Sequence, residues 1–231
     1  MAAVFHGERM GGDFYDFLRV SPHVVLFGLL DVAGRHQENQ TIVSAAQETF
    51  RTLGARLFSG DDINESDAML QLSVQLNQTI MKAAGGVRSC PAFVGAYNEL
   101  LGTVCYSNAG HTPALLRDQT GITQLPATGL PFGLFSHVIH DAPTVALEPG
   151  AALLLVSRGV TEGKCSGEEF GLERVQSSFQ KATLSNAERL CDGILDSVEQ
   201  FMCAPPTHND VTALALLRLA AAKAATADSG A

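Results

Sequence analysis

Asp31 closes the apolar run Leu26-Phe27-Gly28-Leu29-Leu30 and opens onto Val32-Ala33-Gly34-Arg35-His36. A run that apolar reads as a strand covered on both faces, so an acid at its exit sits at the rim of a core, within reach of solvent. Such an acid serves as a ligand, a catalytic group or the cap of a following helix. Upstream, Gly11-Gly12-Asp13-Phe14-Tyr15-Asp16-Phe17 sets two more acids among aromatics. Glycines ahead of Asp13 permit the tight backbone approach needed to hold an acid at a fixed point. Polar clusters also border strand-like runs at Asn108-Ala109-Gly110-His111, at Ser157-Arg158-Gly159-Val160-Thr161-Glu162-Gly163 and at His208-Asn209-Asp210-Val211-Thr212. Loops from separate strands that converge build a site. His111 reads as a hydrogen-bonded structural residue or as a general acid, and His36 as an exposed helix-start residue or a ligand. His6, His23, His137, His140 and His208 show no ligand spacing.

The elements that must carry these residues follow from periodicity. Strands are expected over 2–9, 13–20 and 24–30, the last two joined by the turn Ser21-Pro22-His23. Ile42, Ala45, Ala46, Thr49, Phe50 and Leu53 recur at helical spacing within 37–58. Asp62 and Asn64 precede a second helix, 66–83, whose Met69, Leu72, Leu76 and Ile80 form a core stripe. Short strands are expected over 91–97, 103–107, 114–117, 122–125, 138–147 and 151–156, with turn residues between them, which indicates antiparallel sheets. Helices over 168–181 and 185–202 follow, the second capped by Ser185 with Glu188 three residues on, and a strand over 211–219 closes the core. This is an α+β chain, with one domain over 1–219 and a flexible Ala-rich tail over 220–231.

Composition narrows the partners. The formal charge of -9 argues against nucleic acid, which is bound by basic patches, and suits a cation site. No apolar run reaches membrane-spanning length and no secretory leader opens the chain, so no membrane partner and a cytoplasmic location are expected. A start on a strand without a leader is what an excised domain would show. Cys90, Cys105, Cys165, Cys191 and Cys203 are odd in number and lack CxxC or zinc-ligand spacing, so reduced, packed thiols are expected. None sits in a phosphate-cradling loop.

Taken in order, GGDFYDF, DVAGRH, AFVGAY, SNAGHTPALL, GLPFG, SRGVTEG, EEFGLERV and HNDVTAL resemble the SpoIIE-like branch of the PPM family, the metal-dependent protein serine/threonine phosphatases. The resemblance runs from about Ala2 to Leu217. It implies two antiparallel sheets packed as a sandwich and flanked by helices (αββα), and a pair of Mg²⁺ or Mn²⁺ ions that activate water against phosphoserine or phosphothreonine. It also implies sensor modules upstream. By the same resemblance one ion is held by Asp13, Asp31 and the carbonyl of Val32, beside Gly12. The other would need aspartates at the positions of Arg158 and Asn209.

Unit charges about 4 Å apart interact by roughly 4 kcal/mol at an effective dielectric of about 20, and roughly 8 kcal/mol against a divalent ion. An arginine at position 158 turns that attraction into repulsion, and Asn209 offers only a neutral oxygen. One ion rather than two is therefore expected, with Arg158 pairing instead with Asp31 or Asp13. Asp210 lies one position from the expected ligand and, on a regular strand, faces the opposite side. Gly34-Arg35-His36 also departs from the family's Gly-His-Gly. Two functions remain open. One is a phosphatase of reduced activity acting on a phosphorylated regulatory protein such as an anti-sigma-factor antagonist. The other is a pseudophosphatase that keeps the fold as a phosphoprotein-binding module.

Overall fold

A computed structural model describes residues 1–6, 12–32, 36–60, 62–204 and 210–220. One antiparallel sheet joins β2 (Asp13–Arg19), β3 (Val24–Asp31), β4 (Ala92–Asn98), β5 (Thr103–Ala109) and β8 (Thr144–Ala146), in that order. The other runs β1 (Ala2–His6), β12 (Val211–Leu217), β9 (Ala152–Val156), β6 (Ala114–Arg117) and β7 (Ile122–Leu125). Strand alternation sorts their side chains into three cores. Phe27 and Leu29 of β3, Leu153 and Leu155 of β9, and Leu214 and Leu216 of β12 fill the space between the sheets. Leu26 and Leu30 face the other way, onto Ile42 and Phe50 of α1 (His36–Phe58) and Met69, Leu72 and Leu76 of α2 (Glu65–Ala84). Leu154, Val156, Ala213 and Ala215 pack under α4 (Gly171–Lys181) and α5 (Ala187–Phe201), against Val175, Phe179, Leu190 and Ile194. The layers are helix, sheet, sheet, helix, the sandwich the motifs imply.

Buried strands need both faces covered, which is why β3, β9 and β12 read as nearly continuous apolar runs. One position inverts that rule. Gly95 lies across from Phe27, and a Cβ there would overlap the phenyl ring. A glycine in mid-strand is thus the space that lets Phe27 enter the intersheet core.

Several expected boundaries shift. The strand expected over 138–147 shrinks to β8, because the chain bends to bury His140 against Phe132, with ring centroids 5.1 Å apart, before pairing. Glu168–Glu169 does not start a helix. It forms β11, paired with β10 (Lys164–Cys165), and α4 follows from Gly171. A four-residue helix, α3 (Arg158–Thr161), was not expected. Asn186, not Ser185, caps α5, its side chain accepting the Arg189 N–H at 3.0 Å. Cys165 and Cys203 are joined by a disulfide, against the expectation of free thiols, while Cys90, Cys105 and Cys191 are free and buried. Spacing cannot reveal the pair, since 38 residues separate them. Among the described residues no helix is long and apolar enough to cross a membrane.

Candidate metal centre

Asp13 opens β2, Asp31 ends β3, and the register sets them directly across from one another. Residues so paired carry their side chains on one face with Cβ atoms about 5 Å apart. Two carboxylates therefore meet at one end of the sandwich, with exposures of 5% and 6%. Burial pushes Asp13 well above the usual carboxylate range, and the neighbouring charge of Asp31 adds to the rise. Burial also raises Asp31, and the Arg158 guanidinium is the next cause and pulls it back down. Removing charge from water costs free energy unless a counter-charge replaces the solvent.

The backbone beside these acids is tightly built. Val32 N–H donates to Gly12 C=O at 3.4 Å, and the Val32 carbonyl accepts from Asn39 Nδ2 at 3.0 Å. A Cβ on Gly12 would lie 2.6 Å from that carbonyl oxygen, so only glycine lets the strand entry approach it. Nothing in the sequence spacing singles out Asn39, which reaches back from α1 over seven residues.

Asp210 is buried, and its Oδ2 accepts the Asp13 N–H at 3.0 Å. The expectation that it faces away is corrected. Asp210 and Thr212, two residues apart, share one face, and that face meets Asp13: Thr212 Oγ1 donates to Asp13 Oδ2 at 2.7 Å. Ser157 Oγ completes the network, donating to Asp210 C=O at 2.9 Å and accepting the Thr212 N–H at 3.0 Å. Ser157 precedes α3 but makes no cap hydrogen bond with its side chain, which serves β12 instead. Ser157 and Thr212 lie inside quoted motifs, yet only the pairing of β9 with β12 reveals their contact with the acids.

Arg158 places Nε 3.4 Å from Asp31 Oδ2 and 3.7 Å from Glu162 Oε1. Its side chain is 40% exposed, whereas that of Asp31 is 9% exposed. His111 is buried, its N–H donating to Asn108 Oδ1 at 2.8 Å and its Nδ1 lying 3.1 Å from Thr112 C=O. A carbonyl only accepts, which assigns the proton to Nδ1. Burial pushes the imidazole down to about 4, so it is neutral at ordinary pH. Asn209, Gly11 and His208 lie outside the described residues, as do Asp61 and residues 221–231 of the tail.

Over residues 21–219 the sequence matches the family described as Stage II sporulation protein E (SpoIIE). The chain belongs to this family. Phosphoserine phosphatase RsbU of Bacillus subtilis is 25% identical across 91% of this chain and 60% of RsbU. The chain spans between 37% and 60% of the length of the curated relatives it matches. Among solved structures, the RsbU and RsbW domains of Rv1364c from Mycobacterium tuberculosis superpose with a TM-score of 0.76 at 21% identity, over 95% of this chain and 59% of that one. RsbX in complex with magnesium gives 0.62 at 14% identity, over 91% and 89%. These likenesses establish the SpoIIE-type sandwich.

SpoIIE-like phosphatases depend on Mg²⁺ or Mn²⁺, so the donor set of this member matters. Two opposed, buried carboxylates, together with the Val32 carbonyl, suit a hard cation. A carbonyl that accepts one hydrogen bond keeps a second lone pair. On the side toward Arg158 the guanidinium stands beside Asp31. Among the described residues, no group of three or more His, Cys, Asp or Glu side chains is arranged to hold a metal ion.

Proposed function

We propose that this domain is a Mn²⁺- or Mg²⁺-dependent protein serine/threonine phosphatase of the SpoIIE type, working with one ion rather than two and turning over slowly. Its substrate class is a phosphorylated regulatory protein, such as an anti-sigma-factor antagonist. Asp13, Asp31 and the Val32 carbonyl would hold the ion, with Gly12 giving the carbonyl room and Asp210 holding the Asp13 backbone. When bound, the ion supplies positive charge and acidifies a water. Thr212 fixes one oxygen of Asp13 and so orients the carboxylate. Arg158 supplies one positive charge beside Asp31, which suits a phosphoryl oxygen but activates no water. The observation that carries this reading is the direct opposition of two buried acids on β2 and β3.

The contact of Arg158 with Asp31 favours a second reading, a pseudophosphatase that binds phosphoprotein without hydrolysing it. Hydrolysis of a phosphoserine peptide across Mn²⁺ concentrations separates the two. The native chain should turn over detectably, and Arg158→Asp combined with Asn209→Asp should raise turnover about tenfold or more, the scale at which ligand-shell changes act. Native turnover that the double change does not improve defeats the impaired-site account. No turnover in either form, with phosphopeptide still bound, favours the pseudophosphatase.

A further inference from the structure

Cys165 and Cys203 stand with Cα atoms 4.8 Å apart and joined through sulfur, where α5 has just ended and β10 begins. Cys203 is exposed and Cys165 half-buried, so a thiolate from solution can reach the bond. The other three cysteines are buried, and burial pushes the thiols of Cys90 and Cys191 up to about 12, which leaves them inert beside this pair. Cys165 lies seven residues after Arg158, along a described path through α3, Glu162 and Gly163. On that path Gly159, Val160 and Gly163 are buried, and the Gly163 C=O accepts the Phe170 N–H at 2.8 Å. The β10–β11 hairpin pairs only two residues on each strand. It is also held by Cys203 N–H on Lys164 C=O at 3.3 Å, by Phe170 N–H on Gly163 C=O at 2.8 Å, by the exposed Lys164–Glu169 pair, and by Arg174 on Glu168 and on the Glu169 and Phe170 carbonyls. Hairpins this short are marginal alone.

We infer that Cys165–Cys203 is a reversible thiol–disulfide site whose oxidised form anchors the hairpin after α3 and so keeps Arg158 on Asp31. Reduction by a low-molecular-weight thiol breaks the S–S bond. The protein takes up two electrons and two protons to give two thiols, and two molecules of the reductant become one disulfide. The freed hairpin loosens the chain following α3, and Arg158 spends less time against Asp31. A guanidinium withdrawn from Asp31 no longer competes with a cation there, so the reduced protein binds Mn²⁺ more tightly. That last consequence rests on reading Asp13 and Asp31 as a cation site.

The whole 231-residue chain serves for the test. Equilibration in glutathione buffers, followed by alkylation and mass spectrometry, should show Cys165 and Cys203 converting together as one two-electron couple. The Arg158 Nε–H resonance should exchange with solvent faster after reduction, in metal-free protein. Mn²⁺ binding, followed by electron spin resonance of the free ion, should tighten about threefold or more. Cys203→Ser and Cys165→Ser should match the reduced protein in both states of the buffer. An unchanged Arg158 resonance, unchanged or weakened Mn²⁺ binding on reduction, or alkylation of both cysteines under oxidising buffer each overturns the proposal. Hydrolysis is read separately: absence of turnover in both redox states, with the Arg158 and Mn²⁺ responses intact, sinks the phosphatase reading and leaves this one standing.

Discussion

Asp13 is the residue on which burial and charge conflict most. Its neighbours Asp31 and Asp210 raise its pKa, and only the Thr212 and Ser157 hydroxyls work against them. An acid whose folded pKa lies above its unfolded value near 4 binds protons more tightly in the native state. Its contribution to stability is then fully present below the unfolded pKa and is lost as pH rises through the folded pKa. Asp13→Asn removes that loss and keeps an oxygen to accept from Thr212. In EDTA at pH 7 the variant should be more stable than the native chain by on the order of 1 kcal/mol. The gap should close near pH 4. Chemical denaturation at the two pH values measures it, and a variant less stable at pH 7 would show that Asp13 is already compensated without a cation. The same substitution should abolish Mn²⁺ binding, so this position gives up stability in the metal-free state for a ligand. The residue types at this site were legible in the sequence because β3 is so apolar that its closing acid stands out. Thr212, Ser157 and Asn39 were not, since each acts through a contact between elements distant in the chain.

At the scale of elements, the helices follow their periodicity, but their ends follow hydrogen bonds that periodicity does not see. Ser185 and Glu188 match a capping-box pattern, yet the N-cap of α5 is Asn186, which accepts from Arg189. Asn and Ser are about equally good caps, so sequence preference cannot choose between adjacent positions. Asn186→Ala should therefore cost about 1 kcal/mol, and Ser185→Ala only a few tenths. Thermal unfolding of the two variants decides it, and the reverse order would restore the capping box. The strand order was likewise beyond the sequence. Antiparallel pairing was legible from short strands and turns, but the placement of β12 between β1 and β9 depends on which apolar faces meet. That placement is what delivers Asp210 and Thr212 to Asp13. For Asp210 the sequence pattern pointed away from the acids, yet its side chain accepts the Asp13 N–H. The disulfide was hidden for a related reason: α4 and α5 lie between its cysteines, and only their packing on the sheet brings the ends together.

Across the whole molecule, a chain of charge -9 concentrates its costliest negative charge where β2, β3 and β12 meet. Each sheet contributes acids: Asp13 and Asp31 come from one, and Asp210 from the approach to a strand of the other. A cation bound there neutralises the acids where the two sheets meet, so binding and global stability are linked. Occupancy at about one hundred times the dissociation constant stabilises by roughly 2.7 kcal/mol. For a domain of this size that amounts to a rise in Tm of about 5–10 °C. The ion holds both acids ionised, and their raised pKa values mean protons must leave on binding. The Mn²⁺-induced rise should therefore be larger at pH 7.5 than at pH 5.5. General screening of the net charge would act equally through sodium at matched ionic strength and would not need Asp13. Scanning calorimetry at both pH values, in EDTA, Mn²⁺ and matched NaCl, separates the two effects. A rise that sodium reproduces, or one that survives Asp13→Asn, would place the stabilisation on the surface at large and leave the two facing acids without a bound ion.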